Sequence, residues 1–223
     1  SAVADARSPT VAIADAYLAT MAREFPEAGT ANDLPGTNHG ALSDNTTAGI
    51  ARWRAYEDFV LQQLRAIDSR SLGTGADRVL HGVLLDQVER DVGVRVCRLE
   101  LWGVASYVNG WQASLTDLAR VQPAGTDELR ALALHRARAI PRYIDNEVVL
   151  LQQGLRAGYS SPKVIVREVI SQLDSLLAAT PAQSPFSAPA QKDTTPAFQS
   201  AYHAIVRDEI NPAERRYRTY LQE

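Results

Sequence analysis

Apolar residues recur every three or four positions along most of the chain, and the clearest such pattern runs from Arg138 to Phe186. Ile144, Val148, Leu151 and Leu155 fall at i, i+4, i+7 and i+11, which is one face of an α-helix. Gly158 then supplies the left-handed residue that ends many helices. Ser161-Pro162 reads as the cap and first residue of the next helix: a side-chain acceptor for a free amide, then a ring needing no donor. Ile165, Val169, Leu173 and Leu176 repeat the pattern, and Val166, Ile170 and Leu177 widen it, which places this helix between neighbours. The segment predicts an αα-hairpin.

The rest of the chain reads the same way. Residues 1–7 are a loose arm, and Ser8-Pro9 opens a helix that carries Val11, Tyr17, Leu18 and Met21 to about Phe25. Residues 26–46 are rich in Gly, Pro, Asn, Asp and Thr and predict a long loop. Ser43 or Asp44 caps a second helix over 47–67, with Ile50, Trp53, Phe59, Val60 and Leu64 as its apolar set. A third helix is predicted over 76–101, where Leu80, Leu84, Val88, Val92 and Val96 follow at steps of four. Gly93 interrupts it and marks a kink or a close contact.

Residues 102–111 predict an irregular aromatic corner, and Leu115 and Leu118 a short helix. Thr126 caps a helix that runs to Arg138, which Pro141 ends or kinks. Residues 180–195 form a connection rich in Pro, Ser and Ala. Thr195-Pro196 opens the last helix, which Asn211-Pro212 kinks; Tyr217, Tyr220 and Leu221 keep its apolar spacing to the end. With no stop signal there, the sequence reads as a helix cut short, exposing its apolar face to a missing half or to a second copy. No alternating run is long enough for a sheet. The class is all-α, a multi-helix array of long antiparallel helices with αα-hairpins and irregular connections, organised as a single helical domain over 1–223.

Composition narrows the function classes. The net charge of −3 gives no electrostatic case for nucleic acid, and no apolar run reaches the length of a membrane span. The single cysteine, Cys97, lies among valines and reads as a core residue. The chain opens on Ser1 without Met or signal peptide, as expected of a mature or trimmed form.

Candidate chemistry is sparse. His39, His81, His135 and His203 show neither the H-x-x-x-H spacing of a zinc helix nor the Glu-x-x-His of di-iron bundles, so no metal ligand or cofactor is assigned. His39 reads as a loop residue and the other three as helix-surface or boundary residues. His81, Asp86, Glu89 and Asp91 form the most titratable stretch, best read as a solvated flank balanced by Arg90. Arg130, Arg136, Arg138 and Arg142 concentrate positive charge near Pro141. A forked guanidinium matches a carboxylate, so Arg136, Arg138 and Arg142 are candidate contacts for a peptide C-terminus, against a plainer reading as surface pairs of Asp127, Glu128 and Asp145. Trp102, Tyr107 and Trp111 are a candidate aromatic platform, against the commoner fate of a buried corner. Tyr202, His203 and Arg207 read as a surface edge, and no catalytic residue is assigned.

The order Ile140-Pro141, an acidic and amide-rich helix start, Leu-Leu…Gly-Leu…Gly, Ser-Pro-Lys-Val and Ser-Pro-Phe resembles the bacterial domain-of-unknown-function 885 family. Tyr17-Leu18, Phe25-Pro26-Glu27-Ala28 and Asn211-Pro212-Ala213 match it further, while residues 31–101 match weakly. The resemblance implies the amino-terminal helical part of a zincin-like, peptidase-related protein, often an exported lipoprotein, with peptides as possible partners. It implies a periplasmic or secreted location, with a lipid anchor on the full-length form, and zinc held by an H-E-x-x-P-G-H motif that this sequence lacks. This part would wall a substrate cleft and be inactive alone. The alternative is a stand-alone partner-binding or scaffold domain.

Overall fold

Ser8 Oγ accepts the amide of Val11 at 3.3 Å, and Pro9 opens helix α1, Pro9–Glu24, as the sequence predicts. The computed structural model describes residues 8–104 and 110–223. Among these residues all regular structure is helical, and no helix is long and apolar enough to cross a membrane.

The predicted loop over 26–46 begins instead with a short helix, α2, Pro26–Ala31, started by Pro26. The remainder is held by side chains. Ser43 donates its amide and its hydroxyl to Glu27 Oε1, each at 2.8 Å, and Gln122 Nε2 reaches the His39 carbonyl at 3.0 Å. Helix α3, Thr47–Ala66, is capped by Thr46, whose hydroxyl accepts the Gly49 amide at 3.1 Å. Asp44 acts one step earlier, accepting the amide and hydroxyl of Thr46. The cap therefore lies two residues beyond Asp44 and three beyond Ser43, the predicted positions.

Helix α4 covers Ala76–Val94 and stops short of the predicted end at Leu101. Two 3₁₀ turns follow, Arg95–Cys97 and Leu99–Leu101, separated by Arg98 at a left-handed φ of 49°. The apolar repeat misleads here because Val96 is 81% exposed, so nothing in the core continues the helix past Val94. Cys97 is likewise exposed and not a core residue. Gly93 stays helical with nothing near its missing side chain, so it marks no close contact.

Helix α5, Trp111–Val121, leads to α6, Asp127–Arg156, capped by Thr126 as expected. This helix runs unbroken through Pro141. Ala133, Ala137, Ile140 and Ile144 are buried in one core on both sides of the proline, and that packing offsets the lost backbone bond. Beyond Ala157, Gly158 adopts φ 83°; its amide bonds to the Leu155 carbonyl and that of Tyr159 to Gly154, a Schellman ending. Helix α7, Lys163–Ala178, then turns back, with Val169 and Leu173 fully buried. Ser161 does not cap it. Its hydroxyl instead donates to the Trp102 carbonyl and accepts the Val104 amide, tying the hairpin turn to the segment after α4.

The 180–195 connection contains a 3₁₀ turn, Pro185–Ser187, and helix α8, Ala188–Lys192. Helix α9, Pro196–Ile205, passes into α10, Asn211–Gln222, through a π turn, Val206–Ile210, where the Asn211 amide bonds to the Val206 carbonyl. The π turn accommodates Pro212 and lies at the predicted kink position, with the helical path continuing through it.

Two apolar clusters result. Tyr17, Val60, Leu64, Leu84 and Val88 gather α1, α3 and α4 into one. The other joins α5 to α10 around Ile144, Leu173, Phe186, Val206 and Tyr217. The loop before α3 crosses from the first group to α6 of the second.

Candidate functional site

A cleft of about 320 Å³ opens where that loop, the ends of α1 and α4, one face of α3 and Tyr143 of α6 meet. Phe25 stands edge-on to Trp53 with ring centres 4.8 Å apart, making an apolar floor. Five carboxylates and two guanidiniums line this cleft, and a third guanidinium, Arg52, pairs with Glu24 at 3.3 Å and Asp44 at 3.1 Å, which leaves a smaller acidic excess.

Both arginines are already engaged. Arg95 reaches Glu57 and Asp58, each at 2.7 Å, and the Arg54 carbonyl at 3.0 Å. Burial pulls the Arg95 pKa down, but these two carboxylates more than compensate and its charge is secured. Arg54 pairs with Glu100 at 3.0 Å. Burial raises the Glu100 carboxyl, yet its own backbone amide and the guanidiniums of Arg98 and Arg54 bring it below the usual range. Glu57 also accepts the Trp53 indole N–H at 2.8 Å. Glu24, Asp44 and Asp91 complete the acidic set. Tyr17, behind this wall, is pushed up to about 12 by burial and then by Asp91 and Glu57.

Tyr143 borders two further cavities. One, of about 120 Å³, shares Ser43, Asp44 and Asn45 with the cleft and adds Arg142 and His135. The other, of about 90 Å³, is lined by Trp111, Gln112, Ser114, Tyr143, Glu147 and Tyr217. Asn45 ties them together, donating from Nδ2 to the Tyr143 carbonyl at 2.9 Å and to Glu147 Oε1 at 2.8 Å. Asn146 Nδ2 returns a bond to Asn45 Oδ1 at 2.8 Å. Burial raises the Glu147 carboxyl, and the Asn45 donor offsets this only in part. Burial also raises the Tyr143 and Tyr217 phenols, with Glu147 adding to both.

The arginines singled out in the sequence are not brought together. Arg136 is buried, donating to the carbonyls of Ala41 at 2.8 Å, Asn38 at 3.0 Å and Pro26 at 3.4 Å, and to Gln122 Oε1 at 2.7 Å. Burial lowers its pKa to about 10. It holds the loop. Arg138 is exposed, 4.0 Å from Glu209, and Arg142 is exposed beside the 120 Å³ cavity. Arg130 pairs with Asp127 at 2.8 Å, as the plainer reading has it, and with Asp193 at 2.6 Å.

The aromatic set divides as well. Trp102 donates its indole N–H to the Cys97 carbonyl at 2.8 Å and lines an apolar groove with Leu155, Tyr159, Tyr220 and Leu221. Trp111 lies in the core, edge-on to Tyr217 with ring centres 5.2 Å apart. Tyr107 lies outside the described residues. Tyr202, expected at a surface edge, is buried in the same core.

The histidines are scattered. His81, expected at the surface or boundary, is buried and donates from Nε2 to the Leu64 carbonyl at 2.9 Å, closing the end of α3. His135 donates from Nδ1 to the Gly40 carbonyl at 2.8 Å, and His39 Nδ1 lies 3.1 Å from Thr30 Oγ1. Among the described residues no three His, Cys, Asp or Glu side chains converge as metal ligands. Asp86 and Glu89 pair with Arg90 and Arg65 on the outer flank of α4, as the sequence suggests.

Sequence reasoning missed Arg54, Arg95, Asn45 and Glu147. Each looks like an ordinary helix or loop residue, and its partner is distant in sequence; Asn45 and Glu147 are 102 residues apart. The one available signal was the Asn-Glu pair at 146–147 inside an otherwise apolar helix face. A comparison with curated proteins found no match. Residues 26–223 match the family described as "Bacterial protein of unknown function (DUF885)", and the chain belongs to that family.

Proposed function

We propose that this chain forms the helical wall of a cleft that binds peptides, preferring positively charged ones, within a peptidase-like protein. The acid-lined cleft carries this reading: five carboxylates and two ion-paired arginines surround an apolar floor of Phe25 and Trp53. Such a mixture suits an extended peptide, whose apolar side chains meet the floor while its cationic groups meet the rim. Arg142, beside the neighbouring cavity, is the best remaining contact for a peptide carboxylate.

His81, His135 and His39 hold separate backbone and hydroxyl partners; among the described residues His203 Nε2 is buried without one and no three ligands converge, so these residues do not fit a zinc site. The zinc chemistry that the family resemblance implies would come from a segment carrying the motif absent here. Export and lipid anchoring rest on that resemblance alone.

A peptide carrying a photo-reactive side chain tests the assignment. Crosslinks located by mass spectrometry on α3, the turn at Arg95–Cys97 or residues 43–45 support the cleft. Crosslinks confined to the groove of Trp102, Leu155, Tyr220 and Leu221 favour a second reading. That groove, of about 290 Å³, is largely apolar and suits a partner-binding or scaffold domain.

A further inference from the structure

We propose that the Glu147 cavity receives the primary ammonium group of a peptide amino terminus. Among the described residues, no lysine, arginine or histidine pairs with Glu147, and Asn45 is the donor to its Oε1. A partly buried carboxylate with no cationic partner is costly, and a cation is what it lacks. Tyr143, Tyr217 and Ser114 line the same cavity, and the hydroxyls of Tyr217 and Ser114 are able to accept hydrogen bonds.

An ammonium group offers three donors and no acceptor, which suits a carboxylate oxygen flanked by hydroxyls. A quaternary ammonium has no N–H and would leave these acceptors unused. A divalent cation calls for several oxygen ligands, usually more than one of them a carboxylate, and this cavity has one. The volume, about 90 Å³, equals about three waters, enough for an ammonium group and the atoms next to it.

Tyr143 borders both this cavity and the acid-lined cleft, which sets the proposed amino-end site beside the cleft. The inference therefore rests on the peptide-cleft reading for the rest of the ligand. It adds a specificity: peptides are recognised by a free amino end. The raised Glu147 carboxyl agrees, since a bound ammonium would restore its charge.

The test uses the whole chain with trialanine amide, its N-acetylated form and ethylammonium chloride. Calorimetry measures affinity, and the Trp111 indole N–H resonance reports on the cavity. The free amine should bind at least tenfold more tightly than the acetylated peptide. Glu147→Gln keeps the acceptor for Asn45 and should abolish that difference, and Tyr217→Phe should reduce it. Equal binding of both peptides overturns the ammonium site and leaves the cleft reading standing. A Trp111 shift with ethylammonium but no binding of either peptide overturns the peptide reading and leaves amine recognition standing. No response to any of the three overturns both.

Discussion

Asn45 Nδ2 lies 2.8 Å from Glu147 Oε1, joining the loop before α3 to the middle of α6. Through this bond the two helical groups share one polar seam, and the cleft, the Arg142 cavity and the Glu147 cavity all meet at it. Asn45→Ala should loosen the loop without unfolding either core. Hydrogen exchange should accelerate at residues 43–46 and stay unchanged in α7; unchanged exchange at 43–46 would count against the seam.

Arg136 makes the loop's main attachment. Arg136→Ala removes four hydrogen bonds and takes the donor from the Ala41 carbonyl and Gln122 Oε1, which should cost about 3 kcal/mol in denaturant unfolding. Arg136→Lys should recover little, because an ammonium lacks the fork that reaches all four acceptors. Full stability of the lysine variant would contradict this role.

Two glycines should respond oppositely to alanine. At Gly154 a methyl group would sit 1.8 Å from the Leu101 carbonyl oxygen, so Gly154→Ala should destabilise by about 1–3 kcal/mol despite alanine's better helix propensity. Gly82 in α4 has nothing within 4 Å, and Gly82→Ala should stabilise by about 0.5–1 kcal/mol. Melting temperatures of the two variants read the sign directly.

The pH dependence of stability should carry the mark of Glu214. Its carboxyl is fully buried without a hydrogen-bond partner among the described residues, and burial raises it to about 8, with Arg215 opposing. The folded state then holds a proton that the unfolded chain releases above its ordinary value near 4.5. The stabilisation is complete below that value and is lost as pH rises towards 8, with a slope of at most about 1.4 kcal/mol per pH unit. Glu214→Gln should flatten the profile of unfolding free energy between pH 5 and 8. An unchanged slope would show that another group carries it.

Much of the fold is legible in the sequence because local signals and packing agree there. Ser8-Pro9, Thr126 and Gly158 each punctuate a helix as their chemistry suggests. Reading fails where tertiary contacts redirect a local signal. Ser161 looks like a cap but spends its hydroxyl on Trp102 and Val104. Pro141 looks like a break but is carried by the buried face around it. Val96 keeps the apolar spacing of α4 yet faces solvent, and Cys97 beside it is exposed. The candidate site was less legible still, since it is assembled from Asn45, Glu57, Arg95 and Glu147, whose partners are distant along the chain. Arginine clustering near Pro141 pointed instead to Arg136, a structural residue.

The central claim, a cleft that selects positive charge, is tested most directly by calorimetric titration of a lysine-containing pentapeptide and its glutamate counterpart at low and high salt. The basic peptide should bind and the acidic one should not. Affinity should fall several-fold as salt screens the rim, and fall again in the Asp91→Asn, Glu24→Gln double variant. Equal binding of both peptides, or affinity indifferent to salt and to those substitutions, would contradict the account.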